Sequence, residues 1–373
     1  MIDRVYIDNY KCFVNFELQP QAIQLIPGGN GSGKSALFDV IESIRDFLTE
    51  GNTTSQSFPT STLTAWDKRR AQTFELGIKG NDGIYRYRLV VEHEPKSTKN
   101  RIANEELRFG QKMLYQFDGK DAHLFRDDGS AGPIFPLDWS RSGIPTIPDR
   151  QDNTLLTWFR RRVERIYVFS PDPLRMTAQS DAEVARPDRF LRHLASWLRH
   201  LSQESIDVVP RIQNGLKDGV LEGLIGFKLA KAGETSRVLK FDFQYESDGP
   251  GAATPRFSLN FDELSDGQRN LVALFTVLHS AVGADTTLCL DEPDNYVALR
   301  ELQPWLIELI DRTRETASQC LLISHHPELI NYLASSQGVR FFRDSLGPVR
   351  TEPFETTGDD GLLPAEIVAR GWE

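Results

Sequence analysis

Gly28-Gly29-Asn30-Gly31-Ser32-Gly33-Lys34-Ser35 is the stretch from which the rest of this 373-residue chain is read. Its spacing, G-x-x-x-x-G-K-S, is that of a phosphate-binding P-loop, and its flanks supply the setting the motif needs. Ala22 to Ile26, just before it, has strand character. Just after it, Leu37, Val40, Ile41, Ile44 and Leu48 recur at three- and four-residue spacing and predict one buried stripe of a helix. Glycines permit the positive φ angles that aim successive backbone N–H groups at phosphate oxygens. The start of the helix adds positive partial charge, Lys34 can reach the terminal phosphates, and the Ser35 hydroxyl can ligate Mg2+. At average residue usage an accidental match in a chain of this length has odds of about one in a hundred. The strand–turn–helix setting lowers those odds further.

Composition sets bounds on the remainder. A length of 373 residues allows two or three domains, and 39% hydrophobic with 26% charged residues is ordinary for a folded chain. Cys12, Cys289 and Cys320 lack metal-type spacing and are too few for a disulfide framework, so a reducing, cytoplasmic setting is expected. The opening Met1-Ile-Asp-Arg-Val-Tyr is not the start of an ordinary signal peptide. No apolar run approaches the roughly 20 residues that span a bilayer; the longest, Leu271 to Ala284, contains His279. A net charge of −10 excludes a protein that coats nucleic acid with its whole surface, but leaves room for a local basic groove.

Hydrophobic periodicity divides the chain. Val5 to Ile7, Phe13 to Leu18 and Ala22 to Ile26 read as paired strands, and Thr53 to Thr64 as an exposed loop. From Gln72 to about Phe135 the period becomes two. Phe74, Leu76 and Ile78 alternate, as do Tyr85, Tyr87 and Leu89, and Asn81-Asp82-Gly83 between them is a hairpin signal. Further short strands at Leu107 to Phe109, Met113 to Phe117 and His123 to Arg126 predict an antiparallel sheet, followed by a loop over Ser140 to Asn153. Thr154 to Ile166 and Arg189 to Ser202 read as helices, with a strand at Ile166 to Phe169. Ile225 to Leu229, Val238 to Tyr245 and Phe257 to Phe261 return to strand character. The last third alternates: helix at Asn270 to Ala281, strand at Thr287 to Leu290, helix at Leu299 to Arg312, strand at Cys320 to Ile323, helix at Pro327 to Leu333. That alternation implies a parallel α/β sheet. Leu362 to Trp372 reads as a short amphipathic helix, and neither an internal repeat nor a heptad array is evident.

A second half-site lies far downstream. Thr287-Leu-Cys-Leu-Asp291-Glu292 is a buried strand ending in two carboxylates that can take different tasks, Asp291 as Mg2+ ligand and Glu292 as the base that polarises water. Leu264-Ser265-Asp266-Gly267-Gln268 stands before a helix, where by itself it would be an ordinary N-cap with Ser265 or Asp266 as cap. Together with Ser324-His325 after another strand, these segments resemble the ABC-type ATPase head: a P-loop, an LSGGQ-like signature, a strand ending Asp-Glu-Pro, and a strand ending in His. The opening Ile7-Asp8-Asn9-Tyr10-Lys11-Cys12 is similar to that of the RecF/SMC-like branch, AAA family ATPases that here lack coiled-coil arms.

The resemblance implies ATP and Mg2+ as ligands and an ATP-dependent homodimer in which Ser265, Gly267 and Gln268 face the P-loop of a second copy. It implies catalytic roles for Lys34, Glu292 and His325, the last as the histidine that senses the γ-phosphate. His326 is its rival, but the pattern places the functional histidine directly after a small hydroxyl residue, here Ser324. Three positions depart from the family pattern. Asp266 replaces a signature glycine, Ala298 stands where Asp or His is usual, and Ser170-Pro-Asp172-Pro holds no Gln for the metal, leaving Asp172 as the substitute.

The expected fold is therefore an α/β P-loop NTPase of ABC-ATPase type: a mostly parallel core sheet, an antiparallel β subdomain over about 70–135, and an inserted helical lobe bearing the signature. The expected division is 1–175 and 285–373 for the first lobe and 176–284 for the second. The target is less legible. Ser140 to Lys217 holds 13 Lys+Arg against 9 Asp+Glu, a local +4 that leaves −14 for the remainder. Arg160, Arg161, Arg162 and Arg165 are its densest cluster, a helix face that could track DNA phosphates or simply be solvated. Trp158 and Trp197 fall in apolar stripes and read as core. Three functions compete: a nucleotide-switched ATPase of DNA repair, DNA processing or anti-phage defence; a regulatory ATPase controlling a co-encoded effector protein; and the nucleotide-binding subunit of a transporter. The last is weakest, because the extra sheet is superfluous there and no membrane partner is expected.

Overall fold

The computed structural model describes residues 1–95, 99–205, 207–217, 220–245, 255–354 and 363–370. The chain forms two compact units: Met1–Val168 with Asp285–Cys289 and Ser318–Glu373, and Phe169–Ala284 with Leu290–Ala317.

In the first unit β1 (Ile2–Asp8) pairs antiparallel with β2 (Phe16–Leu18), Val5 opposite Leu18. β3 (Ile23–Ile26) leaves this sheet, contrary to the pairing expected from its position. All four of its residues are buried, as for a parallel-sheet strand covered on both faces, whereas β1 mixes buried with half-buried positions. α1 (Lys34–Thr49) buries the expected stripe, with Leu37, Val40, Ile41, Ile44 and Leu48 fully shielded, each worth about 1.5–3 kcal/mol of transfer free energy. The expected loop after it contains a one-turn helix, α2 (Thr54–Ser57), closed by a capping box between Thr53 and Gln56.

A meander follows: β4 (Ala71–Gly80), β5 (Gly83–His93), β6 (Asn100–Phe109), β7 (Lys112–Phe117), β8 (Asp121–Phe125) and β9 (Ala131–Pro136), giving an eight-stranded sheet in the order β2-β1-β4-β5-β6-β7-β8-β9. This is the expected antiparallel subdomain, joined to the first two strands. Its first hairpin turns through Asn81 (φ 50°) and Asp82 (φ 55°), the left-handed pair that a two-residue turn between twisted strands demands. Rings fill the core in contact, Phe58 stacked on Phe74 at 4.6 Å and Tyr85 on Trp158 of α3 (Thr154–Glu164) at 4.9 Å. Gly80 lacks a side chain because the Trp158 ring lies 1.9 Å from where its Cβ would stand. β10 (Ile166–Phe169) then enters a second sheet.

The second unit holds β11 (Gln179–Ser180), α4 (Leu194–Glu204), α5 (Val208–Lys217), β12 (Leu224–Lys231), β13 (Arg237–Gln244), β14 (Arg256–Asn260) and α6 (Asp266–Ala281). The inserted lobe thus has an antiparallel sheet of its own, in which β13 pairs with β11, β12 and β14. α4 starts at Leu194 rather than Arg189, because Leu191 is left-handed (φ 56°) and the Asp188 carboxylate accepts the Phe190 and Arg192 N–H groups. α5 escaped the sequence reading because of Pro210 and Gly215. The proline falls in the first turn, where no N–H is missed, and the glycine admits Phe275, 2.5 Å from its absent Cβ.

β15 (Thr287–Asp291), α7 (Leu299–Glu315), β16 (Gln319–Ile323) and α8 (Pro327–Gln337) complete the alternating pattern, and the second sheet runs β10-β15-β16-β3, with β16 parallel to β3. A hairpin absent from the sequence reading, β17 (Val339–Phe342) with β18 (Arg350–Pro353), and α9 (Pro364–Arg370) follow. The carboxy-terminal helix expected over 362–372 is described over its central seven residues; Leu362, Gly371 and Trp372 lie outside the described residues.

One acid is buried in the meander. Glu105 Oε1 accepts the Tyr87 hydroxyl at 2.9 Å and the Ser142 hydroxyl at 2.6 Å, and burial pushes its carboxyl up to about 7 against the pull of those two donors and of Tyr115. The unfolded chain titrates near the ordinary carboxyl value, so folding takes up a proton between the two. This group's contribution to stability is fully present below about 4.5 and is lost as pH rises to about 7, roughly 3 kcal/mol in total. Glu105→Gln should abolish this slope, so that the melting temperature of the variant gains on the wild type between pH 5 and 7.

Candidate functional site

The P-loop leaves β3 after Ile26 and enters α1 at Lys34. Gly28 (φ 133°), Gly31 (φ 78°) and Gly33 (φ 101°) are left-handed, which explains glycine at each; Gly29 is not, and the space where its Cβ would stand is open. Gly33 is the N-cap of α1, so the capping residue contributes no side chain to the first-turn N–H groups, and no acid lies in that turn. Lys34 is buried, with Nζ donating to the Gly28 and Gly29 carbonyls at 2.6 and 2.9 Å. Ser32 Oγ is buried without a hydrogen-bond partner among the described residues, while Asn30 and Ser35 are exposed. Left-handed glycines at a helix start, an ammonium folded onto the loop and an orphaned hydroxyl fit an anion such as a polyphosphate.

The same unit holds the histidines. Ile323 of β16 stands opposite Ile26 of β3, so the P-loop and Ser324-His325 leave the carboxyl ends of neighbouring parallel strands, where open α/β sheets bind ligands. His326 is the N-cap of α8, its Nδ1 accepting the Glu328 N–H at 3.2 Å, and its own N–H donates to Ser324 Oγ at 2.9 Å. His325 is exposed. The two neighbouring histidines thus differ in setting: His326 caps a helix, and His325 is exposed. Asn9 of the opening segment is structural. It is fully buried and left-handed (φ 59°), and its amide donates to the Arg69 and Ala71 carbonyls at 2.9 and 3.0 Å, while Lys11 pairs with Asp39 on α1 at 2.6 Å.

The remaining candidates lie in the second unit. Asp291 is buried and ion-paired to Arg189 at 3.1 Å, a partner that sequence reasoning missed because 102 residues separate them. Glu292 takes φ 50° and accepts from Asn295 Nδ2 at 2.8 Å, within a tight turn that also places Tyr296 at φ 72°. Ser265 is the N-cap of α6 in a reciprocal capping box. Its Oγ accepts the Gln268 N–H at 3.2 Å, and Gln268 Oε1 accepts the Ser265 N–H at 3.0 Å. The cap engages an oxygen lone pair and leaves the Ser265 O–H as a donor. Asp266 is neutralised by Arg269, an i,i+3 pair that was legible from spacing. Gly267 has its own requirement, since the Tyr296 carbonyl lies 2.7 Å from where a Cβ would be. Asn270, fully buried, donates to the Pro293 carbonyl at 2.9 Å and the Asn295 carbonyl at 2.7 Å, fastening the Glu292 turn to the helix that follows Ser265. Asp172 pairs with Arg175 at 2.7 Å and accepts the Leu174 N–H in a local turn, and Ala298 is the N-cap of α7.

The arginine cluster does not form the single basic face that was expected. Consecutive helical residues point about 100° apart, and the three arginines of α3 are dispersed accordingly. Arg160 pairs with Asp149 and donates to the Ile147 carbonyl at 2.5 Å; Arg161 pairs with the same Asp149 at 2.6 Å. Arg162 is buried against Thr287 Oγ1 at 2.5 Å, and burial brings its guanidinium down to about 10. Arg165 is exposed. Among the described residues no group of three or more His, Cys, Asp or Glu forms a metal cluster, and no helix is long and apolar enough to cross a membrane.

Residues 25–331 match the model of the family described as "AAA domain, putative AbiEii toxin, Type IV TA system". None of the curated proteins matches the chain. Among solved structures, the SmcHead bound to the C-winged helix domain of ScpA is similar at a TM-score of 0.50 and 11% identity, over 94% of this chain and 98% of that one. The SMC head domain from Thermotoga maritima has a TM-score of 0.46 and 13% identity, over 95% and 99%. At such identities the likeness concerns the fold alone.

Asn270 is the side chain whose loss should be felt most locally. Asn270→Ala removes the donor to the buried Pro293 carbonyl and the part-buried Asn295 carbonyl and should cost about 2 kcal/mol in urea unfolding. Asn270→Asp, which aims a carboxylate at those carbonyls, should cost more.

Proposed function

The chain belongs to the AAA-domain family whose model it matches, and from that premise we propose that it is an ATPase that binds ATP with Mg2+ at Gly28–Ser35 and works as a nucleotide switch. The observation that carries the reading is the P-loop itself: three left-handed glycines, a side-chain-free N-cap, Lys34 folded onto the loop and the orphaned Ser32 hydroxyl. The N–H groups and Lys34 hold the phosphates, and Lys34 exchanges its carbonyl partners for phosphate oxygens. Ser35 and Asp291 would hold Mg2+, which, when bound, supplies charge neutralisation to the transferring phosphoryl group. Asp291 comes to that role already partnered by Arg189. Glu292 accepts the proton of the attacking water, and His325 senses the γ-phosphate. Ser265, Gly267 and Gln268 present the start of α6 to the ATP of a second copy, with Arg269 offsetting the charge of Asp266. Loss of the bridging phosphate would then release the dimer.

Genome maintenance or anti-phage defence is the process this reading favours, defence being in keeping with the family's toxin–antitoxin description. A second reading, a regulatory ATPase acting on an effector protein, is favoured by one observation. Of the arginines that would have met DNA, Arg160 and Arg161 pair with Asp149 and Arg162 is buried, which leaves Arg165.

Phosphate release and light scattering with ATP and Mg2+ test the proposal. Lys34→Ala should lose turnover about a hundredfold or more. Glu292→Gln should bind ATP, fail to hydrolyse it and accumulate as a dimer; an ATP-loaded variant that stays monomeric would sink the switch. Turnover raised by duplex DNA and quenched by salt favours the first reading, and indifference to DNA favours the second.

A further inference from the structure

The hairpin of β17 and β18 lies beyond residue 331, where the family match ends, yet it touches all three left-handed glycines of the P-loop. Gly28 would set a Cβ 3.0 Å from the Phe341 carbonyl, and Gly33 would set one 2.7 Å from Val349 Cγ2. The Gly31 carbonyl accepts Arg343 Nη1 at 3.3 Å. On its other side the hairpin is tied to the turn after β1: the Val349 N–H donates to the Cys12 carbonyl at 3.0 Å and Arg350 Nη1 to the Val14 carbonyl at 3.1 Å, with Phe341 against Phe16 at 5.5 Å between ring centres.

The tip of the hairpin is strained. The Gly347 N–H bonds back to the Asp344 carbonyl at 2.7 Å across Ser345 (φ 46°) and Leu346 (φ 64°), and a leucine is rarely held in that conformation. Arg343 holds it there. Its Nε donates to the Gly347 carbonyl at 2.8 Å and its Nη2 to the Leu346 carbonyl at 2.6 Å, while Nη1 reaches the P-loop and the Trp66 ring lies 5.5 Å from the guanidinium. One planar fork thus binds two carbonyls of a strained turn and one carbonyl at the apex of the loop. A lysine, a point charge on a flexible stem, cannot reproduce that geometry.

We propose that the turn Arg343–Gly347 is the seat that presets the P-loop, and that Arg343 is a positioning residue for nucleotide binding. Glycines lose more freedom on ordering than other residues, so a loop built on three of them gains affinity when a rigid neighbour orders it in advance. The consequence for affinity rests on the ATP reading above, whereas the ordering of the loop does not.

Hydrogen exchange of the nucleotide-free protein, calorimetric titration with ATP and thermal melting, applied to wild type, Arg343→Ala and Arg343→Lys, test the proposal. Both variants should exchange faster at Gly28–Ser35 and bind ATP about tenfold more weakly, with melting temperatures within a few degrees of wild type. If Arg343→Ala does not fold, Arg343→Lys, which keeps the charge and the apolar stem, decides. Unchanged exchange at the P-loop in the folded variant overturns the proposal, even if affinity falls, because Arg343 would then act on the nucleotide directly. Faster exchange in a protein whose wild type binds no ATP would sustain the seat and overturn the ATP reading instead.

Discussion

The parallel pairing of β3 with β16 is the constraint on which the rest of the first unit depends, and a single amide pins it in place. Gln319 opens β16 and is buried. Its Oε1 accepts the Ile2 N–H at 2.7 Å and the Thr287 hydroxyl at 3.0 Å, and its Nε2 donates to the Ile2 carbonyl at 2.9 Å and the Gln21 carbonyl at 3.1 Å. One side chain thereby saturates its hydrogen-bonding capacity on β1, on the approach to β3 and on β15. Those segments belong to both sheets of the unit, so the register of β16 against β3 is set together with the position of the meander. Buried amides are costly unless satisfied, which makes this junction selective for one register.

That register matters because both strands end in candidate site residues. With Ile323 opposite Ile26, the backbone delivers the P-loop and His325 to one edge of the sheet. The second unit is organised around a different fastening. Asn270 and Gly267, on the helix that Ser265 caps, hold the turn that contains Glu292, so the start of α6 and the acidic turn are fastened together. Both arrangements rely on backbone that ordinary residues avoid, glycine in the P-loop and Glu292 at φ 50° in the turn.

The turn between β3 and α1 was legible in the sequence because left-handed glycines are a matter of local backbone geometry, which local sequence determines. The hairpin at Asn81-Asp82 was legible for the same reason, as was α1 from its stripe. What escaped was set by distant partners. Four apolar residues at Ile23–Ile26 say "strand" without saying whose neighbour, and only Gln319 and β16 decide it. Arg189 shows no sign of its pairing with Asp291, and Arg162 reads as a surface charge until the fold buries it against Thr287. The β17–β18 hairpin escaped although Asp344, Ser345, Gly347 and Pro348 are turn-forming types, because nothing local marks Ser345 and Leu346 for the left-handed region. Their conformation is imposed by the guanidinium of Arg343.

The position of that hairpin bears on the protein while it is being made. At roughly 5–20 residues per second, a ribosome that has finished Ser35 needs on the order of 15 to 60 s to reach Val339. Throughout that interval the nascent P-loop lacks Phe341, Arg343 and Val349 beside its glycines. This turn of the first unit is therefore completed late, after β15 and β16 have already been translated.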